Sequence, residues 1–85
     1  MMIQIVKNEV LANGARSIEL ATEKNAVEIY HGENFSSVCI KNAMHAACRG
    51  TGRVFHGADR LGQALASYKD AAVKAMLQAA VELAA

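Results

Sequence analysis

Five histidine and cysteine side chains are the residues of this sequence best suited to holding a metal ion. His45 and Cys48 are three residues apart, so a helix would place both on one face, as two zinc ligands require. Two further ligands would have to come from His31, Cys39 and His56. No Cys-x-x-Cys pair is present, and cysteine is commonly a small buried apolar residue. We therefore expect these five side chains to occupy ordinary core or surface positions and the protein to bind no cofactor. A zinc site at His31, His45, Cys48 and His56 is the alternative.

No arrangement of side chains predicts catalysis. A Cys–His nucleophile pair needs an electropositive, partly exposed thiol beside an oriented base, and spacing alone provides neither. No Ser/His/Asp spacing resembles a nucleophile elbow. The carboxylates of Glu28, Glu33, Asp59 and Glu82 form no close pair in the sequence. We therefore expect a non-enzymatic protein.

A basic glycine loop, Arg-Gly-Thr-Gly-Arg at residues 49–53, is the second motif with chemical potential. Two glycines allow backbone N–H groups to converge on an anion, and the arginines add charge. Residues 1–40 carry a net charge of −2 and residues 41–60 a net charge of +3, but neither common nucleotide-binding glycine motif is present. A plain surface loop is favoured. The alternative is a site for phosphate, nucleic acid or an acidic protein, formed by Lys41, Arg49, Gly50, Thr51, Gly52, Arg53 and Arg60.

These residues must be positioned by strands and helices, and the patterns of the sequence predict a single α+β domain over residues 1–85. The 85 residues, 53% of them hydrophobic, leave room for one core. Residues 2–42 are typical of an antiparallel meander of three or four strands, and C-terminal helices should pack on one face of it.

Residues 17–31 carry the clearest hairpin pattern. A two-residue loop at Lys24-Asn25 places Leu20 opposite Ile29 and keeps the apolar side chains on one face. A shift of one residue would mix the two faces.

The remaining strands are predicted from turn signals and alternation. Asn13-Gly14 ends a first strand within residues 2–12, in which a bulge near Lys7-Asn8 accounts for a slip in apolar parity. A turn at Gly32-Glu33-Asn34 leads into a fourth strand at Phe35–Lys41. Residues 43–48 are typical of one or two helical turns, and residues 54–56 of a short extended piece.

The helical region, residues 58–84, carries two apolar stripes about 100° apart, which one straight helix cannot present to one sheet. We expect a break near Lys69-Asp70, with Asp70 as the N-cap of the second segment. The first stripe comprises Leu61, Leu65, Tyr68 and Ala72. The second stripe is a candidate oligomer interface and comprises Val73, Met76, Leu77 and Val81.

Self-association is the favoured partner prediction. A short chain with alanine-rich helices buries limited apolar area, and a meander leaves open strand edges. A homodimer or higher homo-oligomer is expected, paired across a strand edge or across the stripe of Met76, Leu77 and Val81, with a monomer as the alternative. Another protein partner remains open, whereas a net charge of +1 and 5% aromatic residues give nucleic-acid binding little support.

The predicted compartment is the cytoplasm. The first residues lack the pattern of a signal peptide, and no apolar run is long enough to cross a membrane. Reduced thiols are therefore expected at Cys39 and Cys48, with a disulfide between them as the alternative in an oxidising setting.

Three segments carry a resemblance to known proteins: residues 41–45, residues 49–55 and residues 65–69. Together they resemble small proteins of phages and mobile gene cassettes, most of all integron cassette proteins. The resemblance covers about half the chain and transfers no catalytic residue. It implies a compact bacterial α+β protein, often oligomeric, with no assigned activity, and allows a role against host or phage machinery.

Overall fold

The computed structural model describes residues 2–42 and 52–84, which form one antiparallel sheet followed by two helices. The strands are neighbours in chain order, so the sheet is a five-stranded meander. This confirms the α+β prediction and adds a strand beyond residue 42, at the predicted extended piece. The elements are β1 (Gln4–Val10), β2 (Arg16–Ala21), β3 (Asn25–His31), β4 (Phe35–Asn42), β5 (Arg53–His56), α1 (Arg60–Ser67) and α2 (Ala71–Ala84).

The core lies between one face of the sheet and the two helices. Alternate residues of the central strands point into it, because side chains along a strand alternate between faces. Helix α2 packs on β2 and β3, and α1 packs on β4 and β5. The fully buried apolar residues of the strands are Ile18, Leu20, Val27, Ile29 and Val38.

The β2–β3 hairpin has the predicted faces but a different register. Leu20 pairs with Val27, whereas the loop predicted at Lys24-Asn25 would have placed it opposite Ile29. The turn closes instead around Glu23-Lys24, where the Thr22 N–H donates to the Asn25 carbonyl at 2.8 Å. In the observed register Leu20 faces Val27 and Ile18 faces Ile29, so apolar residues face each other in the core. The predicted register would have set Ile18 opposite His31.

The predicted bulge and the first turn are both present. The pairing of β1 with β2 shifts between Ile5 and Lys7, so the bulge is at Val6, just before the predicted Lys7-Asn8. In the following turn Gly14 has a φ of +85°, which a residue with a Cβ adopts at a cost. The Asn13 side chain accepts a hydrogen bond from the Ala15 N–H at 3.0 Å.

The helical region breaks where expected, and Asp70 caps α2. Its Oδ1 accepts hydrogen bonds from the N–H groups of Ala72 at 2.9 Å and Val73 at 3.0 Å. Because the chain changes direction here, both apolar stripes reach the same sheet.

The predicted oligomer interface on α2 therefore needs correction. Val73, Met76 and Leu77 are buried in the core of the single chain, and Val81 is half-buried. A second copy cannot reach the three buried side chains while this core is intact.

Two findings concern the limits of the described chain. None of the helices in residues 2–42 and 52–84 is long and apolar enough to cross a membrane. The helical turns predicted at residues 43–48 lie outside the described residues, as do Arg49, Gly50 and Thr51 of the glycine loop.

Candidate functional site

Lys41 lies between two carboxylates on the open face of the sheet, the side away from the helices. Its Nζ is 3.3 Å from Glu19 Oε1 and also bonds Glu28 Oε2. The hydrogen bond to Glu28 raises the pKa of Lys41, and the same contact lowers the pKa of Glu28. This ammonium group is already neutralised within its own chain.

Arg60 joins three segments of the fold at the start of α1. Its Nε donates to Ser36 Oγ at 3.0 Å, and one terminal nitrogen donates to the Gly57 carbonyl at 3.1 Å. The other terminal nitrogen donates to the carbonyl of Gly32. Ser36 is fully buried, so Arg60 satisfies a polar group that water does not reach.

Arg53, the last cation of the predicted anion site, is directed at α1. It donates to the Ser67 carbonyl at 3.1 Å, and its guanidinium lies 4.8 Å from the centre of the Tyr68 ring. Burial raises the pKa of the Tyr68 phenol. Arg53 therefore stabilises the end of α1 and covers an aromatic ring.

These contacts weaken the support for an anion site, which stays a prediction because Arg49, Gly50 and Thr51 lie outside the described residues. Lys41, Arg53 and Arg60 lie at different places in the fold, and each has acceptors within the chain. Gly52, the described glycine of the loop at residues 49–53, has open space around its Cα. Each of the three cations is therefore partly engaged by acceptors of its own chain.

The two described histidines of the predicted zinc site, His31 and His56, lie on opposite faces of the sheet. His31 points to the core side, where its Nδ1 is 2.6 Å from Ser36 Oγ, and burial together with Arg60 and Arg16 lowers its pKa. His56 lies on the open face beside Phe35, with ring centres 6.4 Å apart. Within residues 2–42 and 52–84 no three metal-binding side chains come together. His45 and Cys48 lie outside the described residues.

The thiol expected at Cys39 needs correction as well. Cys39 is disulfide-bonded in the structure, not reduced. Its predicted alternative pairing partner, Cys48, lies outside the described residues.

The open face also carries an aromatic cluster. Tyr30 and Phe35 are stacked with ring centres 5.4 Å apart, and the Tyr30 hydroxyl accepts a hydrogen bond from Asn13 at 3.0 Å. The charged side chains nearby on β2, β3 and β4 are Glu19, Glu28 and Lys41, so this face has no excess of positive charge.

A shallow groove of about 250 Å³ runs beside the β2–β3 turn. Its described lining brings together two ionisable side chains, Glu23 and Lys24, and no histidine, cysteine or aromatic side chain. The lining residues are Met2, Thr22, Glu23, Lys24, Asn25 and Ala72.

The remaining surface is the β1 edge, the side of Gln4–Val10 that has no strand partner among the described residues. Open strand edges were a predicted place for self-association, but the sequence did not distinguish β1 from the other edge. This strand pairs with β2 and ends the sheet. Ile5 is 58% exposed and Val10 is 68% exposed, because the helices pack on the other strands. The sequence signal for this exposed edge was a β-branched strand at one end of a meander. The two helical segments predicted in residues 58–84 are too few to cover the whole sheet.

No protein-family model, curated protein or solved structure matches this chain.

Proposed function

We propose that this protein is a non-enzymatic interaction module that associates with itself through the β1 edge. The observation that carries the proposal is a strand at one end of the described sheet that pairs on one side only and has exposed apolar side chains. The backbone N–H and C=O groups along such an edge are free to pair with another strand. A second copy would thereby extend the sheet and cover apolar surface.

The two ends of the sheet differ in a way that supports β1. Proteins protect free edges with short strands, proline, charge or bulges. Strand β5 has four residues, whereas β1 has seven, and the two charges of β1, Lys7 and Glu9, are of opposite sign. The β1 edge has one bulge, at Val6, and leaves the stretch Lys7–Val10 regular.

A matched pair of charge substitutions tests which edge is used. Val6 is 55% exposed on β1 and Val54 is 54% exposed on β5, so Val6→Lys and Val54→Lys differ mainly in which edge they charge. We expect Val6→Lys to abolish the dimer in sedimentation equilibrium and Val54→Lys to leave it intact. A dimer that survives Val6→Lys, or a monomeric wild-type protein, would contradict the proposal.

The second candidate function, binding of an anion or nucleic acid at the glycine loop, has weaker support. Three of its four cations have acceptors within the chain, and Arg49 lies outside the described residues. Binding through phosphates should weaken steeply with salt. Titration of duplex and single-stranded oligonucleotides at several salt concentrations tests this. Salt-sensitive binding that Arg49→Ala/Arg53→Ala removes would favour the second candidate.

The proposed setting is the cytoplasm of a bacterium that carries a mobile element, on the basis of the resemblance described above. A disulfide at Cys39 is more typical of an oxidising compartment. Alkylation of thiols inside intact cells, followed by mass spectrometry, decides between them. Alkylated Cys39 supports the cytoplasm, and protected Cys39 contradicts it.

A further inference from the structure

The charges on β1 are arranged to select one register between two copies. We propose that two β1 strands pair antiparallel about a two-fold axis at Asn8, an inference that rests on the proposed self-association. In this register Lys7 lies opposite the partner's Glu9, and Glu9 lies opposite the partner's Lys7.

The existing pairing with β2 places these two charges on the same face. Lys7 pairs with Glu19 and Glu9 pairs with Ser17, so both side chains lie on the open face. Asn8 pairs with Ile18 and lies on the core side between them. The open face can therefore accommodate two salt bridges in the seam without disturbing the core.

Symmetry restricts the registers that are available. A continuous sheet with both pairs of helices on one side requires a two-fold axis perpendicular to the sheet. Directly opposite residues must then lie on the same face, so a slip of the pairing by a single position is excluded. A residue must face its own copy at the axis.

The two neighbouring allowed registers are electrostatically unfavourable. With Lys7 on the axis, two ammonium groups face each other, and with Glu9 on the axis, two carboxylates do. Like charges directly opposite destabilise a strand pair, whereas opposite charges stabilise it. Only Asn8 on the axis gives two attractive pairs and no repulsive one among these three registers.

The apolar residues of the strand fit the same register. Pairing about Asn8 brings Val6 next to the partner's Val10 at both ends of the seam. These side chains are 55% and 68% exposed in the single chain, so contact there removes apolar surface from water. The seam then has a charged centre on the open face and apolar ends.

A charge-swap experiment tests this register. In Glu9→Lys the cross-seam pairs become Lys–Lys, and in Lys7→Glu they become Glu–Glu. We expect each single variant to raise the dimer Kd roughly tenfold or more at low salt, and less at high salt because of screening. The double variant Lys7→Glu/Glu9→Lys restores both attractive pairs, so its Kd should return to within about threefold of the wild-type value.

Matched controls separate this effect from a change in net charge or in folding. Glu23→Lys and Lys24→Glu make the same changes in charge in the exposed β2–β3 turn and should leave the Kd unaltered. Lys7→Glu also faces Glu19 within the chain, so circular dichroism must show that each variant is folded. Glu9→Lys faces Ser17 and is the cleaner single variant.

The outcomes also distinguish this inference from the proposed function. If Val6→Lys abolishes the dimer but the double variant is as weak as the single variants, β1 is the interface and the register is wrong. If the single variants match the wild type, the register is wrong as well. If the wild-type protein is monomeric, both proposals fail.

Discussion

Arg60 shows at the residue scale how a charge can be mistaken for a binding group. The sequence gives the sign and rough location of a cation, but not the acceptors that the fold brings to it. Gly32, Ser36 and Gly57 come from two separate turns and a strand, so their meeting at Arg60 could not be predicted from spacing. Arg53 and Arg60 of the predicted anion site instead hydrogen-bond to other parts of the chain and stabilise the fold.

We predict that Arg60→Ala destabilises the folded chain. It removes three hydrogen bonds and takes the arginine away from buried Ser36, so the free energy of unfolding should fall by about 2–3 kcal/mol. Urea unfolding at fixed protein concentration measures the change. Lys24→Ala, in an exposed turn, is the control and should change stability by less than about 0.5 kcal/mol. An Arg60→Ala protein as stable as this control would show that these hydrogen bonds are unimportant.

His31 gives a prediction about pH at the same scale. Burial, Arg60 and Arg16 lower its pKa in the folded chain, so the unfolded chain binds the proton more readily. The stability from neutral His31 is complete above the unfolded pKa of about 6.5 and is lost as the pH falls towards the folded pKa. Unfolding free energies should therefore decrease from about pH 7.5 to pH 5.5, and His31→Asn should flatten this slope. An equal slope in the variant would refute the assignment to His31.

At the scale of elements, alternation determined the faces of the strands but not their register. Faces depend on whether a position is odd or even, and a shift of two residues preserves them. The predicted and observed β2–β3 registers differ by such a shift, and the contacts between Thr22 and Asn25 decide between them. The break between the helices could be predicted because two apolar stripes required it.

The same scale gives a prediction for the cap of α2. Asp70→Ala should lower the free energy of unfolding by about 1 kcal/mol, since two N–H groups lose their acceptor. Asp59→Ala is a matched control, because Asp59 precedes α1 but makes no side-chain capping hydrogen bond. Urea unfolding of both variants provides the comparison. Equal losses in the two variants would show that the capping contacts do not matter.

For the whole molecule, the important feature is that α1 and α2, the helices of the described residues, make their main contacts with β2 to β5 and not with β1. The sequence predicted self-association from chain length, either across an open strand edge or through the second stripe of α2. Because Val73, Met76 and Leu77 fill the core, that surface is unavailable, and the β1 edge is left exposed. Whether the second stripe also packs on the sheet depends on the direction of the chain after the break, and the periodicity of the sequence does not contain that direction.

The mass of the protein in solution tests the central claim most directly. Sedimentation equilibrium from below one to several hundred micromolar should show a reversible approach to twice the 9.0 kDa mass of one chain. Under the same conditions Val6→Lys should remain at 9.0 kDa while Val54→Lys follows the wild type. A wild-type protein that stays at 9.0 kDa throughout this range would contradict self-association through β1.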